Sequence, residues 1–162
     1  MSPIKLRHTA PRSLGNYPEG FDDTISYRTQ LDALELKPSM KAGAKPGENA
    51  MVWHLRVFDE DGTAFIDDST GEAWDLWAWT DDEWWTNHET GKRSKPALYA
   101  DAFLGHELDD SELEDLDNDG WEEVLVGKFA TVSYEIKAGN DGKQRVYVAK
   151  MRPYRQRRKQ ED

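Results

Sequence analysis

Hydrophobic and polar residues alternate in three segments of the first half of the chain, as in strands that bury one face. The run AMVWHLRVF at 50–58 is the clearest of them. One face carries Met51, Trp53, Leu55 and Val57. The other carries Val52, His54, Arg56 and Phe58. Residues 21–36 alternate less regularly, which predicts a strand with a bulge. Residues 72–80, EAWDLWAWT, predict a third strand, with Trp74, Leu76 and Ala78 opposite Trp77 and Trp79.

The pattern changes after the third strand. Residues 81–95 predict a long polar loop, and residues 96–106 predict a short helix. Ser94 is the expected cap, Pro96 suits the first turn and Gly105 ends the helix. Its expected buried residues are Leu98, Ala102 and Phe103. Residues 124–136 and 145–151 alternate again around AGNDGK at 138–143, which predicts a β-hairpin.

Three strands, one helix and a two-stranded hairpin form the order of an oligonucleotide/oligosaccharide-binding (OB) barrel. In that fold the ligand face lies on strands two and three and in the loops that join strands one–two and four–five. The sequence therefore predicts a mainly β chain with a five-stranded OB-type barrel over 21–151. A flexible arm at 1–20 and a basic flexible tail at 152–162 flank it. A general α+β sheet with one helix is the structural alternative.

A family resemblance supports this prediction. The chain has a strand ending at Phe58, a Trp-rich third strand, a helical spacer, LVGKFATVSYEI at 125–136 and VYVAKMRP at 146–153. In this order of features it resembles small phage-encoded OB-fold proteins that are similar to single-stranded-DNA-binding proteins. The resemblance covers about residues 21–154. It implies binding of single-stranded DNA in phage-type replication or recombination, in the cytoplasm, which is the host's if the chain is phage-encoded.

The net charge of −11 argues against nucleic acid until its distribution is considered. Residues 59–91 carry eleven acidic and no basic residues, and residues 107–123 carry ten acidic and no basic ones. Residues 124–162 carry ten Lys and Arg against four acids. Because phosphate contacts are short-range at cellular salt, a local basic stripe matters more than the total.

Aromatic and basic residues in the predicted ligand face suggest a site for single strands, in which bases stack on rings and cations follow the backbone. Trp84 and Trp85 are adjacent in a polar segment, so both cannot point into one core from an extended chain. The predicted nucleic-acid-binding residues are Arg56, Phe58, Trp79, Trp84, Trp85, Lys92, Arg93 and Lys95. RNA is the alternative to DNA. For any single tryptophan in a predicted strand, the core is the more expected location.

Other classes of function have weaker signals. The chain has no Cys, which excludes thiolate metal sites, catalytic thiols and disulfides. The segment DLDNDGWEEVLV at 115–126 resembles a calcium loop, but Val126 stands where a bidentate Glu is required. We expect no metal, no cofactor, no enzymatic activity and no membrane segment. The rival hypothesis is an acidic interaction module or DNA mimic that binds a basic protein through segments 59–91 and 107–123.

Overall fold

A computed structural model describes residues 17–40, 43–139 and 142–154, which are mainly β. The strands are β1 (Ser26–Pro38), β2 (Asn49–Phe58), β3 (Leu76–Asp81), β4 (Phe129–Ala138) and β5 (Gln144–Pro153). The helices are α1 (Lys95–Leu104), α2 (Asp110–Asp115) and α3 (Trp121–Leu125), with a π-helical turn at Leu116–Gly120 between the last two. Most of the predicted arm, residues 1–16, and the tail from residue 155 lie outside the described residues.

The five strands form one antiparallel sheet in the order β3-β2-β1-β4-β5. The mainly β architecture and the helix between strands three and four are as predicted. The closure of the barrel is not, because β3 and β5 are unpaired with each other and the sheet is open between them. Helix α1 contacts β3, β4 and β5, so the interior at this gap is covered by a helix instead of a strand pair.

A bulge in β1 sets which of its residues face outward. The pairing with β2 shifts register between Leu31 and Ala33. Leu31 also donates to the Lys128 carbonyl at 2.9 Å and accepts from the Gly127 N–H at 2.7 Å, which ties the bulge to the start of β4. Because side chains alternate with period two, the shift turns Leu34 inward and Glu35 outward.

The core lies on the inner face of the sheet, under α1 and the acidic helices. Trp53 is fully buried at its centre, 5.0 Å from the Tyr99 ring and 6.2 Å from the Phe103 ring. Its Nε1–H donates to the Thr80 hydroxyl at 2.9 Å, so the indole is buried with its polar atom satisfied. Leu55, Val57 and Val132 are also fully buried on this face.

Helix α1 begins and ends as the sequence predicts. The Ser94 hydroxyl accepts from the Ala97 N–H, and Gly105 terminates the helix with a φ of 81°. The prediction that Leu98 is buried is wrong, since its exposed fraction is 50%. The buried residues Ala97, Ala100 and Phe103 follow helical spacing, which places Leu98 on the opposite side.

The acidic segment is helical. Asp109 and Glu112 form a capping box that starts α2, and Leu113, Leu116 and Leu125 anchor the segment in the core. The predicted strand at 124–136 therefore begins only at Phe129. The segment that resembles a calcium loop lies in the π-helical turn and α3.

The orientation of α1 predicts unequal effects of two substitutions in the same helix. Phe103→Ala should lower the free energy of unfolding by about 3–5 kcal/mol, because it opens a cavity beside Trp53. Leu98→Ala is the matched control and should change stability by less than about 0.5 kcal/mol. Urea denaturation measures both, and equal losses would contradict this orientation.

Candidate nucleic-acid interface

Two exposed tryptophans mark the outer face of edge strand β3. Leu76 and Ala78 point into the core, so the alternation leaves Trp77 and Trp79 outside with exposed fractions of 42% and 41%. Their ring centroids lie 6.3 Å apart. Large apolar side chains kept in contact with water next to one another are typical of an interaction surface.

An open groove with a volume of about 1210 Å³ lies beside these rings, between β3 and the β4–β5 hairpin. Trp77 and Trp79 line the β3 side, and Tyr147 lines the β5 side. The groove has both basic and acidic lining residues. The basic ones are Lys95, Lys137 and Arg145, and the acidic ones are Asp67, Asp68, Asp75 and Glu135.

The cations and carboxylates of the groove differ in how they are held. The Lys137 ammonium lies 5.1 Å from the Tyr147 ring centroid and 3.8 Å from a Glu135 oxygen. Lys95, at the start of α1, makes no ion pair within the described residues. Asp67 accepts from the Ser69 hydroxyl at 2.7 Å and from the Ser69 N–H, which lowers the pKa of Asp67 and keeps it ionised. The groove thus offers cations locally while lacking a net positive charge.

A hydrogen-bonded network fixes Trp77. Its Nε1–H donates to Asp75 Oδ2 at 2.8 Å, and the same carboxylate contacts His54 Nδ1 at 3.0 Å. His54 Nε2 bonds Glu35 on the neighbouring strand, and the imidazole meets the Trp77 ring edge-on at 4.9 Å. Burial lowers the pKa of His54, but the bonds to the two carboxylates and their charges outweigh it, so the net shift is upward.

Lys37 completes this side of the site. Its ammonium lies 5.5 Å from the Trp77 ring centroid, within range of a cation–π contact. It also lies 3.9 Å from a Glu35 oxygen. Both residues face outward because of the bulge in β1.

The predicted residues of β2 and β3 share the outer face but differ in availability. Trp79 lines the groove. Arg56 is paired with Asp32 at 3.3 Å. Phe58 lies under the Arg28 guanidinium, 4.7 Å from it, and away from the groove.

The predicted loop residues are dispersed. Trp84 packs against the core, 6.2 Å from the Trp53 ring, and Trp85 is 39% exposed. Lys92 is exposed in a turn and is not a lining residue of the groove, whereas Lys95 is one.

Arg93, a predicted phosphate contact, is engaged by other side chains of the protein. Its side chain is only 7% exposed, and it donates to both carboxylate oxygens of Asp101, at 2.9 and 2.6 Å. A third bond goes to the Thr86 hydroxyl at 2.6 Å. Arg93 therefore holds the loop against α1, a role that a charge pattern cannot distinguish from phosphate binding.

The predicted site did not include four aromatic and basic residues of the groove: Trp77, Lys137, Arg145 and Tyr147. Trp77 carried a usable signal, because it lies two positions before Trp79 and so shares its face. The sequence signal for Tyr147 and Arg145 was weaker. It was only their position opposite Glu135 and Lys137, beside the β4–β5 turn. Only the tertiary structure brings that turn to β3.

Comparison with known proteins gives no match: no protein-family model, curated protein or solved structure is significantly similar to this chain. Within the described residues, no cluster of His, Asp and Glu could hold a metal ion. None of the helices described is long and apolar enough to cross a bilayer.

The role of Arg93 predicts a loss of stability on its removal. Arg93→Ala leaves Asp101 partly buried without its bidentate partner, which should lower the free energy of unfolding by roughly 3 kcal/mol. Lys92→Ala, one residue away and exposed, should have almost no effect. Thermal and urea unfolding of the two variants measure the difference, and an Arg93→Ala protein as stable as wild type would refute the structural role.

His54 predicts a pH dependence of stability. Because its pKa is higher in the folded protein than in the unfolded chain, protonated His54 stabilises the fold at acidic pH. This contribution should be lost as the pH rises above about 6.5, the ordinary histidine pKa, and through the folded value. His54→Gln should flatten the decrease in unfolding free energy over this range. The His106–Glu112 pair, whose histidine pKa is also raised, should leave a residual slope. An unchanged pH profile in His54→Gln would contradict the assignment.

Proposed function

We propose that this chain binds single-stranded nucleic acid, DNA in the first instance, in the groove between β3 and the β4–β5 hairpin. The observation that carries the proposal is the exposed Trp77–Trp79 pair, which lines the same groove as Lys95, Lys137 and Arg145. We also infer an OB-like topology that is partly open, with β1 at the centre and the helix between β3 and β4. No enzymatic chemistry is part of the proposal.

The aromatic and the basic side chains of the groove would contact different parts of the nucleic acid. Unpaired bases would stack on the indoles, each stack contributing about 1–3 kcal/mol. The ammonium and guanidinium groups of the opposite wall would contact phosphates. Such a site favours single strands because the faces of bases in a duplex are covered by their neighbours.

Carboxylates in the groove limit where phosphates can lie. Asp75 and Glu35 sit beside protonatable His54, and Glu135 sits beside Lys137, so these charges are offset locally. Asp67 and Asp68 lie on the turn before β3. We therefore propose that the backbone follows the β5 side, and that the bases point toward β3.

A protein partner is the second candidate function. It is favoured by the exposed acidic residues of the segment from α2 to α3, which contains no Lys or Arg. These exposed acidic residues include Asp110, Glu114, Asp115, Asp117, Glu122 and Glu123. A basic protein would engage this surface without using the groove, as a DNA mimic does.

Replacing single tryptophans tests the groove. Trp77→Ala and Trp79→Ala should each lose about 1–3 kcal/mol of affinity for labelled oligo-dT, the value of one stack. Trp85→Ala is the matched control, because Trp85 is equally exposed but is not a lining residue of the groove. Fluorescence anisotropy at two salt concentrations measures the affinities, with duplex DNA and RNA oligomers as further ligands.

The same titrations separate the candidate functions. Equal losses in all three tryptophan variants would reject the groove as the site. Absence of single-strand binding by wild type at low salt would reject nucleic-acid binding and leave the acidic surface as the candidate. A role in phage-type replication or recombination remains part of the proposal and follows only if single-stranded DNA is preferred over duplex.

A further inference from the structure

A second aromatic and basic cluster lies on the outer face of the sheet, away from the groove. The Arg28 guanidinium carbon is 4.7 Å from the ring centroids of both Phe58 and Phe129, and 5.8 Å from that of Tyr154. We call Arg28, Phe58, Phe129 and Tyr154 the Arg28 cluster. It joins residues from β1, β2, β4 and the position after β5, so its assembly depends on the folded sheet.

Strand pairing extends this cluster with further cations. Arg28 pairs with Thr131, and Thr131 pairs with Arg152, so the two arginines stand in one row across three strands. Neighbouring strands are about 4.8 Å apart, which places their backbones about 10 Å from one another. Lys150 lies in the next outward position on β5, opposite Ser133.

Three cations of this surface make no ion pair with another described residue. Within the described residues, no carboxylate lies within ion-pairing distance of Arg28, Lys150 or Arg152. Two acidic residues of β1 and of the turn after β2 are engaged elsewhere: Asp32 pairs with Arg56, and Asp59 accepts the N–H groups of Asp61 and Thr63. In a protein with a net charge of −11, a cation left without an anion indicates an anionic partner.

We infer that the Arg28 cluster, with Lys150 and Arg152, is a second subsite for the same single strand, which would continue along β5 from the groove. This inference rests on the proposed function. Strand β5 carries Arg145 and Tyr147 at the groove end and Arg152 at the cluster end. Seven residues of strand span roughly 23 Å, so one longer oligonucleotide reaches both subsites. Bases would stack on the guanidinium and the neighbouring rings, and phosphates would contact Lys150 and Arg152.

Oligonucleotides of two lengths test the second subsite. We would use oligo-dT of about 5 and about 15 nucleotides, within the range of OB-type sites. Arg28→Ala should weaken binding of the longer oligomer about five- to tenfold and leave the shorter one unchanged. Its salt dependence should become shallower by about 0.7 in the log–log slope for each lost phosphate contact.

Three controls keep the test specific to the cluster. Arg28→Lys retains the charge, so it should keep the salt slope while losing part of the affinity. Lys92→Ala removes an exposed cation outside both subsites and should bind both oligomers as wild type does. Inorganic polyphosphate supplies charge without bases, and equal competition by it at matched charge would overturn the stacking role.

The outcomes distinguish this inference from the groove. If Arg28→Ala binds both lengths as wild type does, the second subsite is wrong and the groove is unaffected. If Trp79→Ala binds the short oligomer normally while Arg28→Ala loses the long one, the groove is wrong and the cluster stands. If wild type binds neither length at low salt, both are wrong. Thermal unfolding of each variant confirms that it is folded.

Discussion

Strand β1 and its bulge are the constraint on which the rest of the structure depends. β1 pairs with β2 along almost its whole length and with β4 over its first five residues, so it connects both halves of the sheet. The shift at Leu31 reverses the parity of the later residues, which buries Leu34 and sends Glu35 and Lys37 outward. Without it, Glu35 would not bond His54 and Lys37 would not contact the Trp77 ring.

The sheet has a strict division between its faces. The inner face carries Trp53 and the aliphatic core, closed by α1 where β3 and β5 do not meet. Within the described residues, aromatic side chains of the outer face remain at least partly accessible in two places, the groove and the Arg28 cluster. Because α1 covers the core at the gap, the edges of β3 and β5 can remain unpaired without exposing the core to solvent.

Charge is also segregated by position in the fold. The acidic segments lie in turns and in the short helices, where Leu113, Leu116 and Leu125 anchor them. Basic residues are concentrated on β5 and at the hairpin, and several of the acids nearest the tryptophans are held by His54 or Lys137. A net negative protein can therefore present cations to a ligand, because screening at cellular salt limits the reach of the distant acids.

The sequence by itself determined most of the strands, which of their residues share a face, and the helix between β3 and β4. Period-two alternation identified β2, the shared face of Trp77 and Trp79, and the hairpin, while Ser94 and Gly105 bounded the helix, because these signals are local. It did not determine that Arg93 forms an ion pair with Asp101, that Leu98 faces water, or that residues 121–125 are helical. Those outcomes depend on partners distant in the chain. The tertiary structure alone decided that the barrel is open and that Tyr147 faces Trp77 and Trp79, since both follow from how α1 packs between the two sheet edges.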